Sequence, residues 1–316
     1  MTVRVRVPAS SSNLGSGFDC IGVAIDRWLT ASATLVDEVG ISIQRRGRLA
    51  AVTVPAKQDL LVRGFRAACS ARGVSPPGVA IDAASEIPVG CGLGSSAAAV
   101  VAGALLADSA LGLGLPRAQI VAIGTTIEGH PDNVAPATYG GAVLSIRTSP
   151  GGEIVSSPLC VAPGIELLIA VPPFPNDTKA ARAALPSTLP HADAVLAAGR
   201  AAALVQGLAT GDGALLSAAL DDVLHVPFRQ ARIPGYNTVV AAAQRAGAFG
   251  ATLSGAGSAI LAIAPRDRAA SAGAAMIEAW RSVGVDAELV RSAHPVPGAA
   301  VNRVPQLIHP VSSELS

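Results

Sequence analysis

A glycine-rich loop that runs straight into an alanine-rich apolar stretch constrains this chain more than any other feature. Residues Ile87 to Ala98 read IPVGCGLGSSAA, and the apolar run continues from Ala99 through Ala107. That order predicts a loop feeding the first turn of a buried helix, since Gly frees the backbone for tight turns and Ala favours helix. Glycines let backbone N–H groups approach an anion, and a helix N-terminus adds partial positive charge. The adjacent hydroxyls of Ser95 and Ser96 can serve phosphate oxygens or a metal ion. The pattern is a phosphate cradle and points to a nucleoside triphosphate. A P-loop would require a lysine after the last glycine, where Ser95 and Ser96 stand. A dinucleotide fingerprint would require glycine at position 95. For the loop taken alone, a plain strand–loop–helix junction stays open as the alternative.

The chain has 316 residues, 50% of them hydrophobic, enough for one large or two medium domains with a buried core. A formal net charge of +1 with 14% charged residues leaves no basic face for nucleic acid, and 3% aromatics removes the stacking platforms of a single-strand binder. Nucleic acid is therefore not an expected partner. The opening Thr2 to Pro8 alternates charge with β-branched residues, a strand signature rather than the apolar core of an export signal. The apolar run Ala97 to Leu115 is interrupted by Asp108 and Ser109 and is rich in Ala and Gly, so it is read as a buried helix and no membrane partner is expected. Cys20, Cys69, Cys91 and Cys160 share no C-x-x-C spacing and have no histidine at metal-ligand distance, which fits a reducing cytoplasm. Cys91, inside the loop, is read as a small buried filler.

Periodicity predicts strands over Arg4–Pro8, Thr30–Val36, Ile41–Arg45, Val79–Ala83 and Gly141–Ile146, with helices over Asp59–Arg72, Ser96–Leu111 and Pro116–Glu128. The turn-rich run Thr148 to Gly152 marks a boundary near 150 to 165. Beyond it come a buried strand at Glu166–Val171, helices at Lys179–Leu185, Ala192–Leu208, Ala214–Leu224 and Tyr236–Ala246, and two short strands, Ala251–Leu253 and Ala259–Ala264, flanking Ser254 to Ser258. A last helix covers Arg268–Val283. Both halves are α+β, giving domains 1–155 and 156–292. Proline and small polar residues dominate from Ser292, so the tail 293–316 is read as disordered or draped over a neighbour.

Three further segments share the polar, glycine-rich character of the first loop. Pro8 to Asp19 (PASSSNLGSGFD) is read as an open loop after the first strand, offering hydroxyls, an amide and a carboxylate. Glu128 to Asn133 (EGHPDN) packs two acids, a histidine and an amide into six residues. The Ser254 to Ser258 loop, between two apolar strands, can turn its N–H groups toward an anion. His191, His225, His294 and His309 are read as loop or surface residues without a role.

Position by position, the 87–98 loop resembles the ATP-binding motif of the GHMP kinases, the small-molecule kinases named for galactose, homoserine, mevalonate and phosphomevalonate. The Pro8 to Asp19 segment, the Glu-Gly-His-Pro-Asp-Asn string, Thr178 to Arg182 followed by Leu185-Pro186, and Val226-Pro227-Phe228-Arg229 are similar to the homoserine kinases of that family. The resemblance spans about residues 3 to 265. It implies the two-domain α+β GHMP kinase fold, with a ribosomal-protein-S5-like N-terminal ATP-binding domain, a ferredoxin-like C-terminal domain and an active site in the cleft between them. The implied activity is ATP- and Mg²⁺-dependent phosphorylation of L-homoserine to O-phospho-L-homoserine, for threonine synthesis, in a cytoplasmic homodimer. Other acceptors, such as threonine or an isoprenoid alcohol, and a silent nucleotide-binding regulator are the alternatives.

The resemblance also implies roles. Pro88, Val89, Gly90, Cys91, Gly92, Leu93, Gly94, Ser95, Ser96, Ala97 and Ala98 wrap the ATP phosphates, and Ser254, Gly255 and Gly257 close the site from the second domain. Ser96 and Glu128 hold Mg²⁺, an ion suited to oxygen ligands. Arg182 and Arg229 meet the substrate carboxylate, Arg232 being a rival to Arg229, and guanidinium forks match that group. Asp19, with Asn13, holds the ammonium, and Gly255 adds a substrate contact. Asn133 and His130 lie beside the attacking hydroxyl, and with Glu128 they make up the expected catalytic set. Asp132 is expected to be structural, the hydroxyl attacking directly.

Overall fold

A computed structural model describes residues 2–304. The chain builds β1 (Thr2–Asn13), β2 (Gly17–Leu35), β3 (Ile41–Gly47), α1 (Leu60–Ser70), β4 (Val79–Ser85), α2 (Ser95–Leu111), α3 (Arg117–Glu128), α4 (Val134–Tyr139), β5 (Ala142–Arg147) and β6 (Ile154–Leu159). It continues with β7 (Ile165–Val171), α5 (Thr178–Ala183), α6 (His191–Thr210), α7 (Gly213–Leu220), α8 (Val226–Arg229), α9 (Tyr236–Arg245), β8 (Gly250–Leu253), β9 (Ile260–Pro265), α10 (Ala269–Ser282), β10 (Glu288–Ser292) and β11 (Ala300–Val304). The first sheet runs β11-β1-β2-β4-β3, with β5 pairing both β2 and β6; β3 lies parallel to β4 through the α1 crossover. The second sheet runs β10-β7-β9-β8, antiparallel throughout.

Helix α2 is apolar on every side and is buried along nearly its whole length against the first sheet, α1 and α3, the expected place for a helix without a polar face. Strand β7 explains its own continuous apolar run. Leu167, Ile169 and Val171 enter the core shared with the first sheet, α6 and α7, while Leu168 and Ala170 enter a second core with α9 and α10. Period-two alternation then demands apolar residues at every position, because both faces are covered. Helix α6 has the length and apolarity of a membrane span, yet it packs along α7 and turns Leu204 and Leu208 into the first core.

Several boundaries differ from the sequence reading. Strand β1 does not stop at Pro8. It continues through the serines to Asn13, with register irregularities at Pro8/Ala9 and Ser12/Asn13. Ser10, Ser11 and Ser12 are buried polar strand residues whose hydroxyls bond to distant segments, so no local pattern marks them as strand. Strand β2 is a single element starting at Gly17, of which periodicity found only the last part. Helix α7 ends at Leu220 instead of Leu224, because the Asp222 carboxylate accepts the amides of Leu224, His225 and Val226 and turns the chain into α8. The first sheet includes β6, which moves the change of sheet to residues 160–164. The tail returns to that sheet: β11 pairs antiparallel with β1 from Arg6↔Ala300 to Thr2↔Val304, its partner being a strand edge that lies far away in sequence. Residues 305–316 lie outside the described residues.

Without β11, strand β1 presents an open hydrogen-bonding edge. Removing residues 299–316 lowers the melting temperature by about 3 °C relative to removing 305–316 alone, the shift produced by roughly 2 kcal/mol in a chain of this size. Differential scanning fluorimetry of the two truncations checks this, and equal melting temperatures refute it.

Candidate active site

The glycine loop is stitched in place by its carbonyls. Gly90 O accepts from the Asn176 amide (2.8 Å), Cys91 O from the Ala259 amide (3.0 Å) and Leu93 O from the Ser10 amide (3.2 Å). Gly92 O accepts from the Ser254 hydroxyl (2.6 Å), which in turn receives the Ser11 hydroxyl at 2.8 Å. With the carbonyls committed, the amides from Gly90 to Ser96 pair with no protein acceptor among the described residues. They form a row of orphan donors leading into the N-terminus of α2, which is what an anion cradle requires. Gly92 and Gly94 lie at φ +82° and +65°, and a Cβ on either would come within 2.1 Å of Ser254 O or Ser10 Oγ, respectively. Only glycine meets both demands.

The cradle floors a cavity of about 570 Å³ between the two halves of the molecule. One end is apolar, built from Ile43, Leu49, Val52 and Leu60. Asp59 stands at its rim but is committed to structure. It caps α1 through the amides of Leu61 and Val62 and pairs with Arg45 at 2.8 Å.

Next to the cradle, the Ser96 hydroxyl donates to Glu128 Oε2 at 2.6 Å. Glu128 closes α3, and the left-handed Gly129 (φ +95°) turns the chain away behind it. Burial raises the Glu128 pKa, the Ser96 hydrogen bond and nearby His130 offset part of this, and Asp132 adds to it. A hydroxyl beside a desolvated carboxylate with acid nearby is an oxygen donor set that favours a hard divalent cation, so these residues fit Mg²⁺.

The following turn is tightly held. His130 Nδ1 lies 2.5 Å from Asp132 Oδ1, and burial of the imidazole is outweighed by that carboxylate, so its pKa is raised. Asp132 is itself 1% exposed and also accepts from Asn133 Nδ2 (3.2 Å). Asn133 donates to Ser12 Oγ and accepts from Ser10 Oγ, both at 2.9 Å, so its amide is oriented by the buried serines of β1.

At the far end, Asn13 Nδ2 donates to Gly255 O (3.0 Å) and Asn13 Oδ1 accepts the Asp19 amide (3.0 Å). Asn13, Leu14 and Asp19 all have positive φ (+73°, +48° and +58°), a concentration of backbone strain in one short stretch. Asp19 takes a bidentate pair from Arg182 (2.6 and 2.7 Å), raising the arginine pKa further. Arg229 is 2% exposed and sits behind Arg182 against Phe18.

Of the residues expected from sequence, Asn13, Asp19, Val89, Gly90, Gly92, Leu93, Gly94, Ser95, Ser96, Glu128, His130, Asn133, Arg182, Arg229 and Gly255 line this one cavity. Pro88, Cys91, Ala97, Ala98, Ser254 and Gly257 do not; they are buried behind its wall and hold the cradle in shape. Burial pushes the Cys91 thiol up, so the residue is a filler and not a thiolate. Arg232 is exposed and away from the cavity. His225, read from sequence as a loop or surface residue, is completely buried beside Arg229. Thr178 and Lys179, noted from sequence only as part of the Thr178 to Arg182 motif, stand on the cavity wall, and the serines of β1 gain an orienting role that the sequence reading did not assign. The hydroxyl density of the Pro8 to Asp19 segment is the sequence signal that marks these serines, although it does not say which partners they orient.

The model of the N-terminal domain of GHMP kinases matches residues 59–141, and that of their C-terminal domain matches residues 204–282. The chain is 40% identical over 291 residues to a homoserine kinase of Trichormus variabilis, covering 92% of this chain and 95% of that one. It is 42% identical over 286 residues to one from Gloeobacter violaceus, covering 87% and 92%. The crystal structure of homoserine kinase from Cytophaga hutchinsonii superposes with a TM-score of 0.86 at 29% identity, over 95% of this chain and 97% of that one. The chain belongs to the GHMP kinase family. Within this family it groups with the homoserine kinases, and its two α+β halves are the family's N- and C-terminal domains.

Two consequences follow for a GHMP kinase built this way. Gly92→Ala forces a Cβ against Ser254 O and strains the left-handed turn, so ATP binding weakens about tenfold or more while the fold persists. Isothermal titration with a non-hydrolysable ATP analogue, alongside circular dichroism, checks both parts. The raised pKa of His130 gives a stabilisation that is full below the ordinary histidine value and lost as pH rises through the folded-state value. Asp132→Asn removes its source, so the stability gap between the two proteins is largest below the ordinary histidine value, near about pH 6, and narrows as pH rises through the raised folded-state value. Urea denaturation across that range measures the gap, and a gap that widens with pH contradicts the assignment.

Proposed function

We propose that this kinase transfers the γ-phosphoryl group of ATP to the side-chain hydroxyl of L-homoserine, forming O-phospho-L-homoserine for threonine synthesis. The observation that carries the reading is the charge arrangement of a single cavity. One end has a cradle of unpaired amides, and the other has a carboxylate and two guanidinium groups within reach of one small zwitterion. The apolar compartment of Ile43, Leu49, Val52 and Leu60 suits the adenine.

Asp19, His130 and Asp132 bring ligand atoms within 4.8 Å of one another, an acidic corner that favours an ammonium group. Arg182 and Arg229 favour the carboxylate. In the described structure Arg182 and Asp19 satisfy each other. A zwitterion replaces that pair with two of its own and leaves no charge unpaired, whereas a sugar or a hydroxy acid leaves Asp19 or Arg182 desolvated without a partner. This supports the choice of an amino acid over galactose or mevalonate. Asn133, clamped by Ser10 and Ser12, is a rigid group for orienting the substrate hydroxyl, with His130 beside it.

Ser96 and Glu128 would hold Mg²⁺, which when bound neutralises phosphate charge. Phosphoryl transfer runs through a loose transition state, so positioning and charge neutralisation carry most of the catalysis. Asp132 is engaged by His130 and Asn133, which supports direct attack by the hydroxyl with Asp132 as an orienting residue. On the same reading the enzyme works in the cytoplasm as a homodimer, as the family resemblance implies.

A coupled ADP-release assay over L-homoserine, D-homoserine, L-threonine, L-serine, mevalonate and galactose tests the acceptor. Turnover on L-homoserine no better than on galactose sinks the reading. Arg182→Ala raises the KM for homoserine by about 10- to 100-fold, the loss of a charge-assisted pair, with the KM for ATP nearly unchanged. In the same assay Asp132→Asn lowers kcat by less than about tenfold, whereas loss of a true general base costs roughly a hundredfold or more.

A further inference from the structure

The two arginines at the substrate end are held in different ways. Arg182 is half-exposed and ion-paired with Asp19. Arg229 is buried and forms no ion pair among the described residues. Its Nε donates to Ala181 O at 3.2 Å, and its Nη1 lies 3.2 Å from His225 Nδ1. A guanidinium has donors only, so Nδ1 must accept, which puts the imidazole proton on Nε2, where it faces Gly15 O at 3.3 Å.

Everything around His225 holds that arrangement. Asp222 Oδ2 accepts the amides of His225 and Val226, both at 2.7 Å, and fixes the start of α8. The imidazole stacks on Phe18 at 4.9 Å and 20°, and the same ring carries the guanidinium groups of Arg182 and Arg229 at 5.3 and 5.2 Å. The charged groups facing the imidazole are Arg229 and Asp222, whose Oδ2 lies 3.8 Å from Nε2, with Asp19 further off. Burial lowers the His225 pKa to about 4, Asp222 opposing and Arg229 reinforcing the shift, so the ring stays neutral under ordinary conditions.

We propose that His225 is a positioning residue for substrate recognition: its neutral Nδ1 holds the buried Arg229 guanidinium so that the remaining N–H fork meets the substrate carboxylate. The inference rests on the reading of this cavity as an amino-acid site. Its physical content is the neutrality of the partner. A buried carboxylate in place of His225 would satisfy Arg229 but cancel the positive charge the substrate needs. A neutral acceptor fixes the geometry and leaves the charge free. His225 stands at the start of the short α8 and Arg229 at its end, which brings the two side chains within reach of each other.

The test compares three variants on L-homoserine and on L-homoserinol, which lacks the carboxylate. His225→Asn keeps an acceptor near the Nδ1 position, His225→Gln keeps only the Gly15 side, and His225→Asp supplies an acceptor with the wrong charge. His225→Gln and His225→Asp raise the KM for homoserine by about tenfold or more, with kcat, the KM for ATP and the KM for homoserinol little changed; His225→Asn recovers most of the loss. Parallel increases for homoserine, homoserinol and ATP, or an Asn variant no better than Gln, mean that His225 only supports the fold and overturn the proposal. Should the variants fail to fold, ¹⁵N NMR of the wild-type imidazole decides. A neutral Nε2–H tautomer from about pH 5 to 9 supports the proposal, and an imidazolium or an Nδ1–H tautomer refutes it. A wild-type enzyme inactive on homoserine instead removes the functional reading itself, an outcome distinct from a variant effect.

Discussion

The carbonyl groups of the glycine loop are the joint on which the site depends. Ser10 of β1, Ser254 after β8 and Ala259 before β9 all donate to this one loop, so strands from both sheets meet on its carbonyl side. Because a peptide unit points its N–H away from its C=O, committing the carbonyls to the protein turns the amides toward the cavity. The same bonds that join the halves therefore create the anion cradle. Gly92 and Gly94 belong to this joint, since a side chain at either would drive the strands apart.

From that joint the cavity divides by charge. The end under α2 collects positive potential from amides and a helix terminus, the middle holds Ser96 and Glu128, and the far end sets Asp19 against two arginines. Neutral groups keep these charges usable. Asn133 is oriented by serines, and Arg229 by an uncharged imidazole, so the positioning does not consume the charge it serves.

Much of this was legible in the chain because it is local. The glycine loop, the featureless apolar helix α2, the doubly buried strand β7 and the Glu128 to Asn133 string each carry their signal within a dozen residues. What escaped was polar and non-local. Ser10 to Ser12 look like a turn because their hydroxyl partners, Asn133 and Ser254, lie more than a hundred residues away, and the same distance hides the pairing of β11 with β1. His225 looks like any loop histidine, and only its complete burial between Gly15, Phe18 and Arg229 gives it a role.

The sequence by itself determined the glycine-rich loop leading into a buried helix, the α+β character of both halves and the family. Backbone freedom at glycine, apolar periodicity and short motifs act over a few residues, and a linear reading captures them. Tertiary structure alone decided which expected residues face the cavity and which back its wall. It also decided that Arg229 and not Arg232 reaches the site, and that a buried histidine holds it. Those outcomes depend on where strands far apart in sequence cross, and desolvation and hydrogen-bond partners exist only after they have met.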